Sequence, residues 1–177
     1  MDFVAGLEFV TAFFADRSSR GAAVIGGVAL AAYGNPRTTI DLDFIVDGNL
    51  QDALIAFLET QGFETLHRSS GYSNHLHPDP DRGRIDFVYV RGETAEKLFA
   101  SCRRLPGPGG VSILVPRPEH LAALKAQAMK NDPSRAPSDL ADVRFLLGLP
   151  GVDHQAIREY FERAGQGDLF DALERSL

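Results

Sequence analysis

The sequence predicts a mixed α/β (α+β) fold: a twisted mixed β-sheet flanked by helices, followed by a C-terminal helical bundle. Three observations carry this. Up to about residue 117, short apolar or β-branched runs alternate with amphipathic stretches at helical spacing. From Pro118 onward every periodic segment has the helical period. The chain has 177 residues, 44% of them hydrophobic and 24% charged, enough for a real core without a low-complexity tract. Residues 1–117 are therefore read as the sheet-bearing core, and residues 118–177 as a helical region packing on it.

The first element, "LEFVTAFFADRSSR" (7–20), has helical spacing and opens the chain. "AAVIGG" (22–27) is a short apolar strand ending in two glycines, and "VALAAYG" (28–34) a small-residue helix closed by Gly34. "NPRTT" (35–39) is a turn and "IDLDFIVD" (40–47) the second strand. "NLQDALIAFLETQG" (49–62) is an amphipathic helix with Gly62 as its stop. "FETLHRSS" (63–70) and "SNHLH" (73–77) read as strands. "PDPDRG" (78–83) is a turn in which Asp79 and Asp81 are turn formers, and "RIDFVYV" (84–90) is a strong strand. "TAEKLFASCRR" (94–104) reads as helix, "LPGPGG" (105–110) as turn and "VSILVPR" (111–117) as the last strand. The helical region comprises "PEHLAALKAQAMK" (118–130), "PSDLADVRFLLG" (137–148), "DHQAIREYFERAG" (153–165) and "DLFDALERSL" (168–177), with the loop "NDPSRAP" (131–137) between the first two.

Composition excludes several classes. Net charge is −6, from 18 basic and 24 acidic residues, which argues against a sequence-blind nucleic-acid coat held by a basic face. Cys102 is the one cysteine, so there is no intrachain disulfide and no multi-cysteine zinc site. The start "MDFVAGLEFV" lacks the basic region of a signal peptide. The longest uncharged run has 16 residues, short of the ~20 that a membrane span needs. The expectation is a soluble cytoplasmic protein.

The chemistry is concentrated in "RTTIDLDFIVD" (37–47), a strand with two aspartates in an apolar run. Side chains at i and i+2 share a face, so Asp41 and Asp43 point the same way, ~7 Å apart along the strand. Ile40, Leu42, Phe44 and Val46 take the other face and are expected in the core. Two like charges so close repel, and a hard divalent cation such as Mg²⁺ (or Mn²⁺) removes that cost. "RIDFVYV" supplies a third mid-strand carboxylate, Asp86; if its strand neighbours the first, three acids converge on a site suited to metal-assisted phosphoryl or nucleotidyl transfer. A D-x-D pair alone is more simply read as a strand end near solvent or a turn cap. Likewise Gly26-Gly27 alone fits a tight packing turn, although glycines between strand and helix also let a ligand approach the backbone.

Taken together, "AAVIGGVALAAYGNPRTTIDLDFIVD" has the order strand, G-G, short helix, R-x-T-x-D-x-D. It resembles the polymerase-β-like nucleotidyltransferase superfamily, and within it the AbiEii/AbiGii-type toxin nucleotidyltransferases. The resemblance implies a nucleotidyltransferase-like core over 1–117. It implies that Asp41, Asp43 and Asp86 hold the metal and carry catalysis, Asp86 also acting toward the acceptor hydroxyl. Gly26 and Gly27 would hold the triphosphate, with Arg37 as a phosphate contact or a brace for the metal strand. A lysine helix followed by a D-x-x-D helix maps to Lys125, with Lys130 as a rival, and to Asp139 and Asp142. Lys125 would then contact a phosphate and Asp139 would position that lysine or the nucleotide; a solvated lysine and a helix-N-terminal carboxylate are the plainer reading. The implied activity moves an NMP from an NTP to an acceptor hydroxyl on tRNA or another RNA end, a protein or a small molecule. An antitoxin is the implied protein partner. The alternatives are a non-catalytic nucleotide- or partner-binding module of the same fold, and a metal-dependent nuclease, which would not need the glycine pair.

The remaining polar residues fit simpler roles. His75 and His77 form "HLH" without further His or Cys nearby, so a polar strand end is preferred to a metal site. Ser69, Ser70 and Ser73 lack the setting of a nucleophile elbow. Arg82 and Arg84 flank the Asp86 strand and face either water or an anionic acceptor.

Overall fold

The computed structural model describes residues 1–15, 21–36 and 38–176. It divides into two compact units, Met1–Pro116 and Arg117–Leu177.

The first unit opens with helix α1 (Phe3–Ala15), which buries Leu7, Val10, Phe13 and Phe14 along one stripe. Residues 16–20, the end of the expected first helix, lie outside the described residues. Strand β1 (Ala22–Val24) leads into helix α2 (Gly26–Ala32), and β2 spans Asp41–Asp47. A 3-10 turn (Gly48–Leu50) precedes α3 (Gln51–Thr60). The helix stops as expected at Gly62, whose φ of 89° is accessible to glycine. Phe63 N–H then bonds Leu58 O at 3.1 Å and Gly62 N–H bonds Glu59 O at 3.1 Å, the two bonds of a Schellman closure. The chain continues through strands β3 (Glu64–Arg68), β4 (Tyr72–Leu76) and β5 (Arg84–Val90), then α4 (Gly92–Ser101), β6 (Arg103–Pro106) and β7 (Ser112–Val115).

The main sheet has the order β1-β2-β5-β4-β3, and a separate two-stranded sheet pairs β6 with β7. Among the described residues β2 and β5 run parallel and the other pairs are antiparallel, which makes the sheet mixed. On one face Leu42, Phe44 and Val46 stand beside Ile85, Phe87 and Tyr89, all buried. The Phe44 and Phe87 rings stack 5.6 Å apart across this pairing. Phe9, Phe57 and Phe63 form an aromatic cluster between α1, α3 and the residue entering β3.

The same buried face carries a directed hydrogen-bond chain. Thr65 Oγ1 donates to Glu59 at 2.8 Å, and an ionised carboxylate only accepts. The Thr65 oxygen therefore accepts from His75 Nδ1 at 3.2 Å, and the neutral ring's Nε2 accepts from Ser73 Oγ at 2.7 Å. Ser73 Oγ in turn accepts from the Tyr89 hydroxyl at 2.6 Å. His75 is thus a core histidine.

Two expectations are corrected. Ile40 is 78% exposed, because β2 begins only at Asp41 and the alternation does not reach back to it. Arg103 and Arg104 belong to a strand and not to the preceding helix: Cys102 turns extended (φ −62°, ψ 150°) and ends α4, and pairing with β7 keeps Arg103–Pro106 extended. The "PDPD" turn forms as expected, with Asp79 Oδ1 accepting from Asp81 N.

The second unit comprises helices α5 (Pro118–Asn131), α6 (Ala136–Leu147), α7 (His154–Arg163) and α8 (Gly167–Glu174). Leu121, Ala122, Met129, Val143, Leu146, Ile157, Phe161 and Phe170 form its core. Within the "NDPSRAP" linker a 3-10 turn (Pro133–Arg135) is capped by Asp132, whose side chain accepts from Ser134 N. At the start of α5, Glu119 is buried and forked by Arg117 through both oxygens, and its Oε1 also accepts from Asp153 N at 3.0 Å.

Candidate active site

The parallel pairing of β2 with β5 sets Asp43 opposite Asp86 and Asp41 opposite Arg84. Cross-strand partners project from the same face, so the four charged side chains rise together on the side away from Leu42 and Phe44. Asp41, Asp43 and Asp86 each offer a carboxylate oxygen within 4.8 Å of the other two. All three are half-buried. An all-oxygen donor set of this kind fits a hard divalent cation such as Mg²⁺ or Mn²⁺. Among the described residues it is the one group of three or more metal-type ligands, and it contains neither His75 nor His77.

Neighbouring residues hold each acid in place. Thr39 Oγ1 donates to Asp41 Oδ1 at 2.8 Å. Ile25 N–H donates to the Asp43 backbone oxygen at 2.9 Å, tying the glycine turn to β2. Arg84 grips Asp86 with a fork: Nε lies 3.0 and 3.1 Å from its two oxygens, and Nη2 lies 2.9 Å from Oδ2. This bond, helped by the charges of Asp41 and Asp43, holds the guanidinium even more firmly in its charged form despite partial burial. Asn74 on β4 stands opposite Asp86 on its other side.

The two glycines have different surroundings. Gly26 has φ +63°, and a Cβ there would run into the Asp43 carboxylate. Gly27 is buried, and its Cβ would sit 2.8 Å from Thr39 Cβ. The first glycine leaves room at the carboxylates; the second lets α2 pack against the residue that orients Asp41.

Lys125, Asp139 and Asp142 form a second charged cluster, inside the helical unit. Lys125 Nζ lies 2.8 Å from Asp139 Oδ1 and 2.7 Å from Asp142 Oδ2. Arg135 Nε reaches the other Asp139 oxygen at 3.2 Å. The lysine is 11% exposed at its side chain and the acids 1% and 4%, so the reading of a solvated lysine is corrected, whereas Asp139 does stand in the first turn of α6. Lys130 is exposed. Arg37, the expected phosphate contact, lies outside the described residues.

Two site residues were missed in the sequence. Thr39 is the T of R-x-T-x-D-x-D. Arg84 sits at i−2 from Asp86, where the alternation that aligns Asp41 with Asp43 also puts it on the carboxylate face. Arg84, read as facing water or an anionic acceptor, is 43% exposed at its side chain and is also paired within the protein, to Asp86. A small crevice of about 120 Å³ lined by Phe9, Phe63, Arg82 and Ile85 lies on the opposite side of the sheet, since Ile85 alternates with Asp86.

A mixed sheet presenting two acids from one strand and a third from its parallel neighbour, beside a glycine turn, is the arrangement of a nucleotidyltransferase. Solved structures share the fold. The antibiotic-resistance factor ANT(2'')-Ia in solution superposes with a TM-score of 0.68 at 16% identity, over 99% of this chain and 98% of that one. Its crystal structure in complex with adenylyl-2''-tobramycin gives 0.66 at 13% identity, over 92% and 96%. The lincosamide antibiotic adenylyltransferase LnuA, lincomycin-bound, gives 0.53 at 13% identity, over 81% and 96%. No curated protein matches the sequence. The chain belongs to the AbiEii family, described as "Nucleotidyl transferase AbiEii toxin, Type IV TA system", which it matches over residues 9–176. It is therefore a nucleotidyltransferase. No helix among the described residues is long and apolar enough to cross a membrane.

Proposed function

We propose that this enzyme transfers an NMP from an NTP to an acceptor hydroxyl and releases pyrophosphate, using a divalent ion, Mg²⁺ or Mn²⁺, held by Asp41, Asp43 and Asp86. The observation that supports it most is the approach of the three carboxylate oxygens to within 4.8 Å on one sheet face. When bound, the ion supplies charge neutralisation and orientation at the phosphates. Thr39 and Arg84 hold two of the carboxylates in their orientations. Asp86, whose neighbours are Arg84 and Asn74, accepts the acceptor's proton. Gly26, half-exposed and without a side chain, leaves its backbone open to the triphosphate, while Gly27 keeps the turn packed. Lys125, held by Asp139 and Asp142, and Arg37 are the further nucleotide contacts in this reading. The acceptor is a hydroxyl on tRNA, a protein or a small molecule such as an antibiotic, and the family description supports a cytoplasmic toxin role with a cognate antitoxin.

A second reading, a non-catalytic nucleotide-binding module, draws on one observation: Arg84 and Thr39 already give Asp86 and Asp41 partners without a metal. Mass spectrometry of candidate acceptors incubated with each NTP and Mg²⁺, alongside pyrophosphate release, separates the two. A mass increment of one NMP on any acceptor, lost in Asp43→Asn, supports transfer. Nucleotide binding with no increment on tRNA, protein or small-molecule pools would favour the module.

A further inference from the structure

We propose that Arg84 is a positioning residue that serves as the resident counter-cation of the carboxylate site and gives up Asp86 when the divalent ion enters. This rests on the reading of the three acids as a metal site. The geometry supports it in three ways. The fork covers both Asp86 oxygens with N–H groups at 2.9–3.1 Å, so the carboxylate is engaged as a pair and not at a spare lone pair. Arg84 pairs with Asp41 across the two strands, and its guanidinium feels the charges of Asp41 and Asp43 as well. Its single positive charge offsets only part of the three carboxylates, so a divalent ion is the stronger partner for Asp86.

Spacing points the same way. Carboxylate oxygens on one Mg²⁺ at ~2.1 Å lie no more than ~4.2 Å apart. The three ligand atoms here lie within 4.8 Å of one another, so a small rotation of the fork-held Asp86 side chain is enough to complete the set. Asp86 is the member restrained by a fork, and its side chain is only 18% exposed, whereas Arg84 is 43% exposed and has room to swing outward. The exchange lets the metal-free protein stay folded without three adjacent uncompensated acids. The cost is a weaker hold on the ion until nucleotide arrives.

Titration of nucleotide-free protein with Mn²⁺, read by the electron paramagnetic resonance signal of the free ion, tests this. Arg84→Gln should bind Mn²⁺ roughly three- to tenfold more tightly than the parent at low ionic strength, since a competing charge is removed. Arg84→Lys keeps the charge, loses the fork and should fall between. An independent readout needs no variant: saturating the parent with Mg²⁺ should shift the Arg84 Nε–H resonance as its carboxylate partner is lost. Equal or weaker Mn²⁺ binding by Arg84→Gln, or an Nε–H resonance unmoved by Mg²⁺, would overturn the exchange. Asp43→Asn separates this from failure of the metal reading. If Asp43→Asn binds Mn²⁺ like the parent, the ion sits elsewhere and the metal site itself is refuted. If Asp43→Asn loses binding while Arg84→Gln gains none, only the exchange fails.

Discussion

Asp43 and Asp86 stand directly opposite each other on the two parallel strands of the sheet, although 42 residues lie between them in the chain. Thr39 and Arg84 orient the carboxylates on either side, and the glycine turn is tied to the same strand through Ile25. The site is thus a sheet face with a glycine turn at its rim, an arrangement suited to holding an ion and admitting a phosphate chain.

Replacing Asp43 by Asn should abolish metal-dependent transfer without unfolding the protein. Loss of outer-shell partners typically lowers metal affinity or activity by about 10–100-fold, so loss of a ligand should exceed ~100-fold. Without metal, the variant should still unfold cooperatively, which shows that the lost activity is not a loss of the fold. Retained activity with Mg²⁺ would count against the assignment.

Gly26→Ala should cost about 1–3 kcal/mol, because a left-handed φ is strained for alanine. The added methyl also displaces the Asp43 carboxylate, so nucleotide and metal binding should fall further than stability does. Gly27→Ala should destabilise by about 1–3 kcal/mol through overpacking against Thr39. Denaturant melts beside Mn²⁺ titration distinguish the two positions.

Lys125→Met removes the cation shared by two buried acids and should destabilise by about 3–5 kcal/mol. Arg135 still reaches Asp139, so adding Asp142→Asn should recover part of the loss. A double-mutant cycle in urea measures the coupling; additive effects would show that the lysine and Asp142 act independently.

Burial lowers the pKa of His75, against the opposing pull of Asp86 and Glu59. The unfolded chain therefore binds a proton more readily, and this histidine's contribution to stability is present above about pH 6.5 and lost as pH falls through its lower folded value. His120 is lowered in the same direction, by burial and then by Arg117. Melting temperatures between pH 8 and 5 should decline, and His75→Gln should flatten, without abolishing, that slope. A slope unchanged by the substitution would place the pH sensitivity elsewhere.

Glu119 behaves oppositely. Burial alone would raise its pKa, but the Arg117 fork and backbone N–H donors outweigh that and pull it down to about 2. Its stabilising effect is complete above pH 4.5 and disappears as pH falls toward 2. Glu119→Gln should thus reduce stability at pH 7 and show a shallower acid transition below pH 4.5, measured by circular dichroism.

Much of this was legible in the residues. Period-2 alternation placed Asp41 and Asp43 on one face and Leu42, Phe44 and Val46 on the other; Gly62 marked a helix end; four helical segments after Pro118 were each visible from periodicity. These are local properties, set by side-chain direction and backbone preference within a few residues. Locality also explains the errors. The alternation was extended one residue too far, to Ile40, and the β6–β7 hairpin was missed because Arg103–Pro106 becomes a strand only through its partner.

The sequence by itself determined which residues are the candidates for the chemistry: paired acids on a strand, a third acid on another, and a glycine pair ahead of them. Tertiary structure alone decided that β5 lies beside β2 with α3, β3 and β4 between them in the chain, and that Asp86 meets Asp43. It also decided that Lys125 is buried between Asp139 and Asp142. Strand neighbourhood and the pairing of buried charges depend on distant segments satisfying one another's hydrogen bonds and charges, and no short window of sequence contains that information.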